Sequence, residues 1–117
     1  MTSAFQYVIN NGGIATEASY PYTGNAGNCD TKVPLAVKIS SYANVTVNSS
    51  VALETALATQ PVSVAVDGSS YSFMFYTGGI LPASQCGNTP SNGLLAVGYG
   101  TQSGTQFYKV KNSWGIE

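Results

Sequence analysis

Apolar residues near the start fall at Phe5, Val8 and Ile9, a spacing of three and four that predicts a short helix from Thr2 to Asn10. Asn11-Gly12-Gly13 should stop it, because glycine takes the left-handed conformation of helix ends at little cost. From Ile14 to Pro34 no period is legible. This Gly-, Asn- and Tyr-rich stretch, with Pro21 inside YPYTG, reads as loop. Leu35 to Tyr42 alternates weakly and reads as extended. Ser49 or Ser50 should cap a helix through VALETALAT, with Val51, Leu53, Ala56 and Leu57 as its apolar face and Gln60-Pro61 as its end. VSVAVD is a strand by β-branched alternation, with Val62, Val64 and Val66 on one side. Tyr71 to Tyr76 and Gly79 to Leu81 are predicted as short strands. Leu94 to Tyr99 is predicted as a buried strand, and Phe107 to Lys111 follows after the turn TQSGT. No internal repeat or low-complexity linker appears. The second half is therefore expected to be mostly antiparallel β with one helix.

Composition narrows the function classes. The chain has 117 residues, is 44% hydrophobic and only 8% charged, and carries net charge −1. A chain this apolar can bury a core, which argues against disorder. Its cations are Lys32, Lys38, Lys109 and Lys111, with no arginine, so phosphate neutralisation and nucleic-acid binding are not expected. No stretch approaches the roughly 20 apolar residues of a membrane helix. The opening MTSAFQYVINNGG has neither basic leader nor hydrophobic segment, and is not read as a signal peptide. Two sequons, Asn44-Val45-Thr46 and Asn48-Ser49-Ser50, fit a secretory context. No metal centre and no cofactor are expected: there is no histidine, and Cys29 and Cys86 are far apart in sequence. The two cysteines allow one disulfide at most.

Chemistry enters through the order of five segments: NNGGIATEASYPYTG, QPVSVAVD, YTGGI, NGLLAVGYG and FYKVKNSWG. In that succession and at that spacing the chain resembles the papain-like cysteine peptidases, plant and cathepsin-L type, from about Met1 to Gly115. The resemblance implies an α+β fold of two lobes, one helical and one a β-barrel, here as a fragment. Residues 1–42 would belong to the left lobe, with its helix and long loop, and 43–117 to a truncated right-lobe antiparallel barrel with one helix. In the family a cysteine thiolate on the left lobe pairs with an imidazolium on the right lobe, and an asparagine side chain holds the ring.

Carried over residue by residue, the orienting asparagine of the family falls on Asn112, and the tryptophan that shelters the Asn–His hydrogen bond falls on Trp114. The histidine of the family's DHG or NHG motif falls on Asn92. A carboxamide has no proton equilibrium near neutrality, whereas histidine titrates at about 6.5. Asn92 can neither accept a thiol proton nor protonate a departing amine. On residues alone, Asn92-Gly93 is an ordinary turn pair before a strand, and Asn112 a structural hydrogen-bonder. Ala65, Pro90 and Gly93 match positions lining the family's main specificity pocket, which takes an apolar side chain two residues upstream of the cut. Ser91 matches the residue whose backbone carbonyl pairs with substrate. Ala65 as core and Pro90 as a turn residue are the plain alternatives. Tyr20, Tyr22, Tyr71, Tyr76, Tyr99 and Tyr108 read as packing and rim residues.

The nucleophile signature, of the form C-G-[SA]-C-[WY], is absent, and neither Cys29 (GNCDT) nor Cys86 (SQCGN) sits in it. In the family that cysteine lies about 130–150 residues before the histidine, which puts it about 40 or more residues before Met1. The leading expectation is an inactive papain-like domain, a pseudopeptidase or a fragment, that binds a peptide or protein ligand. The alternatives are part of a genuine peptidase whose missing segment supplies the nucleophile, or a structural subunit reusing the fold. Another chain is expected to cover the lobe interface left bare. By resemblance the protein is secreted, lysosomal or vacuolar. By resemblance, too, Cys29 and Cys86 belong to different disulfides, with partners outside this chain, and are not bonded to each other.

Overall fold

The computed structural model describes residues 1–115; Ile116 and Glu117 lie outside the described residues. It divides into two units, Met1–Asn44 and Val45–Glu117.

In the first unit, helix α1 spans Thr2–Asn10, as the apolar spacing predicts, with Val8 buried and Phe5 and Ile9 half-buried. Its end is a Schellman turn: the Gly13 N–H donates to the Val8 carbonyl at 2.9 Å and the Gly12 N–H to the Ile9 carbonyl at 3.1 Å. Gly12 has φ +77°, which a side chain would resist. An isolated antiparallel bridge joins Ile14 to Val37, and Phe5 stacks on Tyr42 with ring centroids 5.9 Å apart. The stretch between is loop, tied by short hydrogen bonds such as Tyr22 N–H to Glu17 Oε1 at 2.8 Å.

The second unit opens with helix α2, Ser50–Leu57, whose N-cap is Ser49: its hydroxyl accepts from the Ala52 N–H at 3.2 Å. Ala52, Leu53, Ala56 and Leu57 are half-buried on the helix face that packs on the sheet. Val51, expected on that face, is exposed. The sheet has three strands in the order β1-β2-β3, all antiparallel: β1 Val62–Val66, β2 Asn92–Gln102 and β3 Thr105–Lys111. The β2–β3 turn has two central residues, Ser103 (φ 50°) and Gly104 (φ 80°), the positive-φ pair of a type I′ hairpin. Register runs from Gln102↔Thr105 to Leu95↔Lys111, with Val97 as a bulge between Ala96 and Gly98. Leu94 and Ala96, on one face of β2 before the bulge, are the buried apolar pair of this unit.

Two expected strands are not strands. Tyr71–Met74 forms a short helix, α3, and Gly79–Leu81 has no regular structure. The reason lies just upstream. Ser70 caps α3 by accepting from the Phe73 N–H at 3.3 Å, and helical spacing stacks Tyr71 on Phe75 at 6.2 Å. The aromatic residues that suggested a strand are thus held by a cap and an i,i+4 pair. The second unit carries two α-helices rather than one, and a 3₁₀ turn at Ala83–Gln85.

The surface is large. Folded monomers of 12.1 kDa expose about 6,000 Å², and two separately folded bodies of these unit lengths about 7,000 Å². This chain exposes 9206 Å². Tyr71 and Phe75 are 79% and 70% exposed.

Candidate active site

The site is built where β2 begins and β3 ends. Leu95↔Lys111 is the last pair of the ladder, so one further step would set Asn112 opposite Leu94. Asn112 then lies diagonal to Asn92 and on the same face, within reach of its side chain. The Asn92 Nδ2 donates to Asn112 Oδ1 at 3.3 Å, and both residues are half-buried. The Ser113 N–H donates to the same Oδ1 at 2.8 Å. That backbone bond decides the orientation of the Asn112 amide, because only its oxygen can accept. Asn112 therefore presents an acceptor to residue 92 whatever stands there. An imidazole N–H or a carboxamide N–H both satisfy it, which is how asparagine can occupy the position without leaving a buried polar atom unpaired.

Gly68, just past β1, closes the back of the pair. It is buried, and a β-carbon there would lie 2.7 Å from Asn92 Cβ and 3.5 Å from the Trp114 ring. Only glycine lets the chain pass this close. The Trp114 ring stands edge-on to Phe73 with centroids 5.5 Å apart, and is 54% exposed. Trp114 thus flanks Gly68 on the side open to solvent.

The expected binding residues gather along the same edge. Ala65 and Gly93 face each other across β1 and β2, and both are exposed. A β-carbon at Gly93 would meet nothing within 4 Å. Pro90 and Ser91, also exposed, lead into β2. Ser91 is fixed at both ends: its N–H donates to the Val66 carbonyl at 2.9 Å, and its hydroxyl accepts from the Gly68 N–H at 3.1 Å. All seven residues singled out in the sequence lie in the second unit.

Asp67 was not singled out, yet it anchors this edge. Its Oδ1 accepts from the Ser69 hydroxyl at 2.6 Å and the Ser69 N–H at 3.1 Å, and its Oδ2 from the Thr89 N–H at 3.1 Å. The carboxylate therefore ties the loop before Pro90 to the end of β1. Asp-x-Ser, directly after a β-branched strand, was the available signal, since aspartate there favours an Asx turn. The Ser69 hydroxyl, and next the Thr89 N–H, hold the Asp67 carboxyl below its usual range. A lowered folded-state value contributes stability that is present above the unfolded pKa and lost as pH falls through the folded one. Asp67→Asn would turn an N–H toward the Thr89 N–H or the Ser69 donors. At neutral pH the variant should melt below wild type, and the gap should close as pH drops below about 4. Thermal melts of both proteins, each paired with the front half of a papain-like domain, check this across that window; a gap unchanged at low pH would contradict it.

No group of three or more metal-ligating side chains occurs among the described residues. No helix among them is long and apolar enough to cross a membrane. Cys29 and Cys86 are free, exposed thiols. The Tyr7 hydroxyl lies 3.9 Å from Cys29 Sγ, and hydrogen bonding to that thiol is the main cause that raises the tyrosine's pKa.

With an amide pair where a catalytic pair is expected, the family model described as papain family cysteine protease matches residues 1–117. The chain belongs to the papain family. Among its relatives, cysteine endopeptidase Rep1 of Oryza sativa subsp. japonica is 47% identical over 120 residues, covering 98% of this chain and 32% of that protein. KDEL-tailed cysteine endopeptidase CEP2 of Arabidopsis thaliana is 44% identical over 119 residues, covering 100% and 33%. The solved bromelain protease from Ananas comosus, in complex with the E64 inhibitor, superimposes with a TM-score of 0.86 at 38% identity, over 96% of this chain and 52% of that one. This papain-family chain spans about a third of the length of the first curated relatives it matches. The α+β fold and the papain-like assignment read from the five segments both hold.

Proposed function

We propose that this chain is the back portion of a papain-like domain that holds peptide or protein ligands without cleaving them, where the end of β1 meets the start of β2 in its second unit. The observation that carries this reading is the Asn92–Asn112 amide pair at 3.3 Å. Two carboxamides hold a hydrogen bond and no proton equilibrium, so the pair can neither generate a thiolate nor protonate a leaving amine. Asn112 would be the orienting amide left without an imidazole, and Trp114 the shield on its solvent side. Ala65, Pro90 and Gly93 would receive an apolar side chain, and the Ser91 backbone would pair with the ligand.

A second reading has its own support. The chain spans about a third of its first curated relatives, and a nucleophile on the remaining length of a genuine peptidase fits the same comparisons. Secretion or delivery to a vacuole is proposed for either case. Entry into the secretory pathway, which either destination requires, is supported by the KDEL tail in the name of one relative and by two sequons in this chain. A second chain that covers the bare aromatic surface is proposed as partner, supported by the exposure of Tyr71 and Phe75.

The isolated chain should show no thiol-dependent turnover of peptides carrying an apolar residue two positions before the cut. Held in a soluble complex with the front half of a papain-family relative whose nucleophile is replaced by alanine, the chain should show shifts of the Ala65, Ser91 and Gly93 amide resonances with the same peptides. Turnover that a cysteine-directed epoxide blocks would overturn the non-cleaving reading, and unmoved resonances would overturn the binding surface.

A further inference from the structure

The stretch from Asn44 to Val51 takes no part in the amide pair. It holds both sequons, and Asn44, Thr46, Asn48 and Ser50 are all exposed. The side-chain hydrogen bonds of this stretch run from the Ala52 N–H to the Ser49 hydroxyl and from the Thr55 hydroxyl to the Val51 carbonyl; among the described residues none engages either carboxamide. Asn48 turns the chain into α2 with φ 56°, a left-handed position that asparagine tolerates better than most residues. Its neighbours supply a second observation. Val47 and Val51, one residue before Asn48 and three after it, are 83% and 74% exposed. Two bare valines beside an unpaired carboxamide make an apolar spot that a bulky, solvated group on that carboxamide would cover.

We infer that the Asn44–Ser50 stretch is an N-glycosylation site, with sugar on one or both asparagines. In the transfer, the asparagine Nδ2 forms a bond to the anomeric carbon of a lipid-diphosphate-linked oligosaccharide. The bond from that carbon to the phosphate oxygen breaks, the lipid diphosphate leaves with its electron pair, and the Nδ2 gives up one proton to the transferase. The hydroxyls of Thr46 and Ser50, two residues on from each asparagine, are the groups the acceptor motif requires. In the cell the modification rests on the secretory placement proposed above.

The test separates the acceptor from the placement by fusing the full chain to a cleavable secretory leader in yeast. The expected result is a heavier secreted or microsomal species that peptide-N-glycosidase returns to the bare mass. The N44Q/N48Q double variant should lack the heavier species from the outset. Transfer precedes folding, so a variant that folds poorly is still readable. A wild-type chain of bare mass in the microsomal fraction, or a heavier species that survives in the double variant, would overturn the site.

Discussion

A bromelain chain whose matching half is replaced by this sequence should cleave peptides on the order of 10⁴- to 10⁶-fold more slowly than its parent, as kcat/KM. The loss follows from one atom. Asn112 Oδ1, fixed by the Ser113 N–H, accepts from an amide nitrogen that cannot take up a proton. Asn92→His should restore most of the rate, because Asn112 Oδ1 already accepts a hydrogen bond from residue 92 and the chain leading into residue 92 is anchored independently through Asp67 and Ser91. The rescue should appear in kcat, with KM nearly unchanged, since the substitution adds proton transfer rather than substrate contact. Equal activity of chimera and parent would favour the reading of a genuine peptidase in part.

The second large effect concerns association. The chain exposes about 2,000 Å² more than two separately folded bodies of its unit lengths would, an excess comparable to one side of an obligate interface. Its buried apolar residues among those described are Val8, Leu94 and Ala96 alone, while Tyr71 and Phe75 stand bare. Expressed alone, the chain should elute as an associated or aggregated species, bind a hydrophobic dye and unfold without a sharp transition. Adding the front half of a papain-family relative should convert part of it to a soluble complex with a sharper melt. A stable monomer with cooperative unfolding would contradict this.

Much of this was legible in the residues, for identifiable reasons. The α1 helix, the Ser49 cap, β1 and the β2–β3 hairpin each rest on local signals: helical spacing, a capping hydroxyl, β-branched alternation and a turn with glycine. α3 was missed because strand propensity was read from its aromatic residues while Ser70, its cap, was passed over. The exposure of Val51 was missed because an apolar face is a helix property, and burial depends on what packs against it. In the candidate site, residues 92 and 112 were paired through family resemblance, but the reason asparagine is tolerated lies in the Ser113 backbone bond, which no side-chain pattern announces. Asp67 escaped notice because its partners are the hydroxyl and N–H of Ser69, 2 residues away, and the Thr89 N–H, 22 residues away, of which only the nearer residue leaves a mark in sequence.

The central claim is that residue 92 supplies no base, and the pH dependence of nucleophile alkylation in the bromelain chimera tests it most directly. An unassisted thiol titrates at about 8.5, whereas papain's own His-paired thiol titrates at about 3 to 4. With Asn92 in place, the alkylation rate should rise with an inflection near the unassisted value, and Asn92→His should move that inflection into the acid range. An acid-range inflection with Asn92 still present would contradict the account.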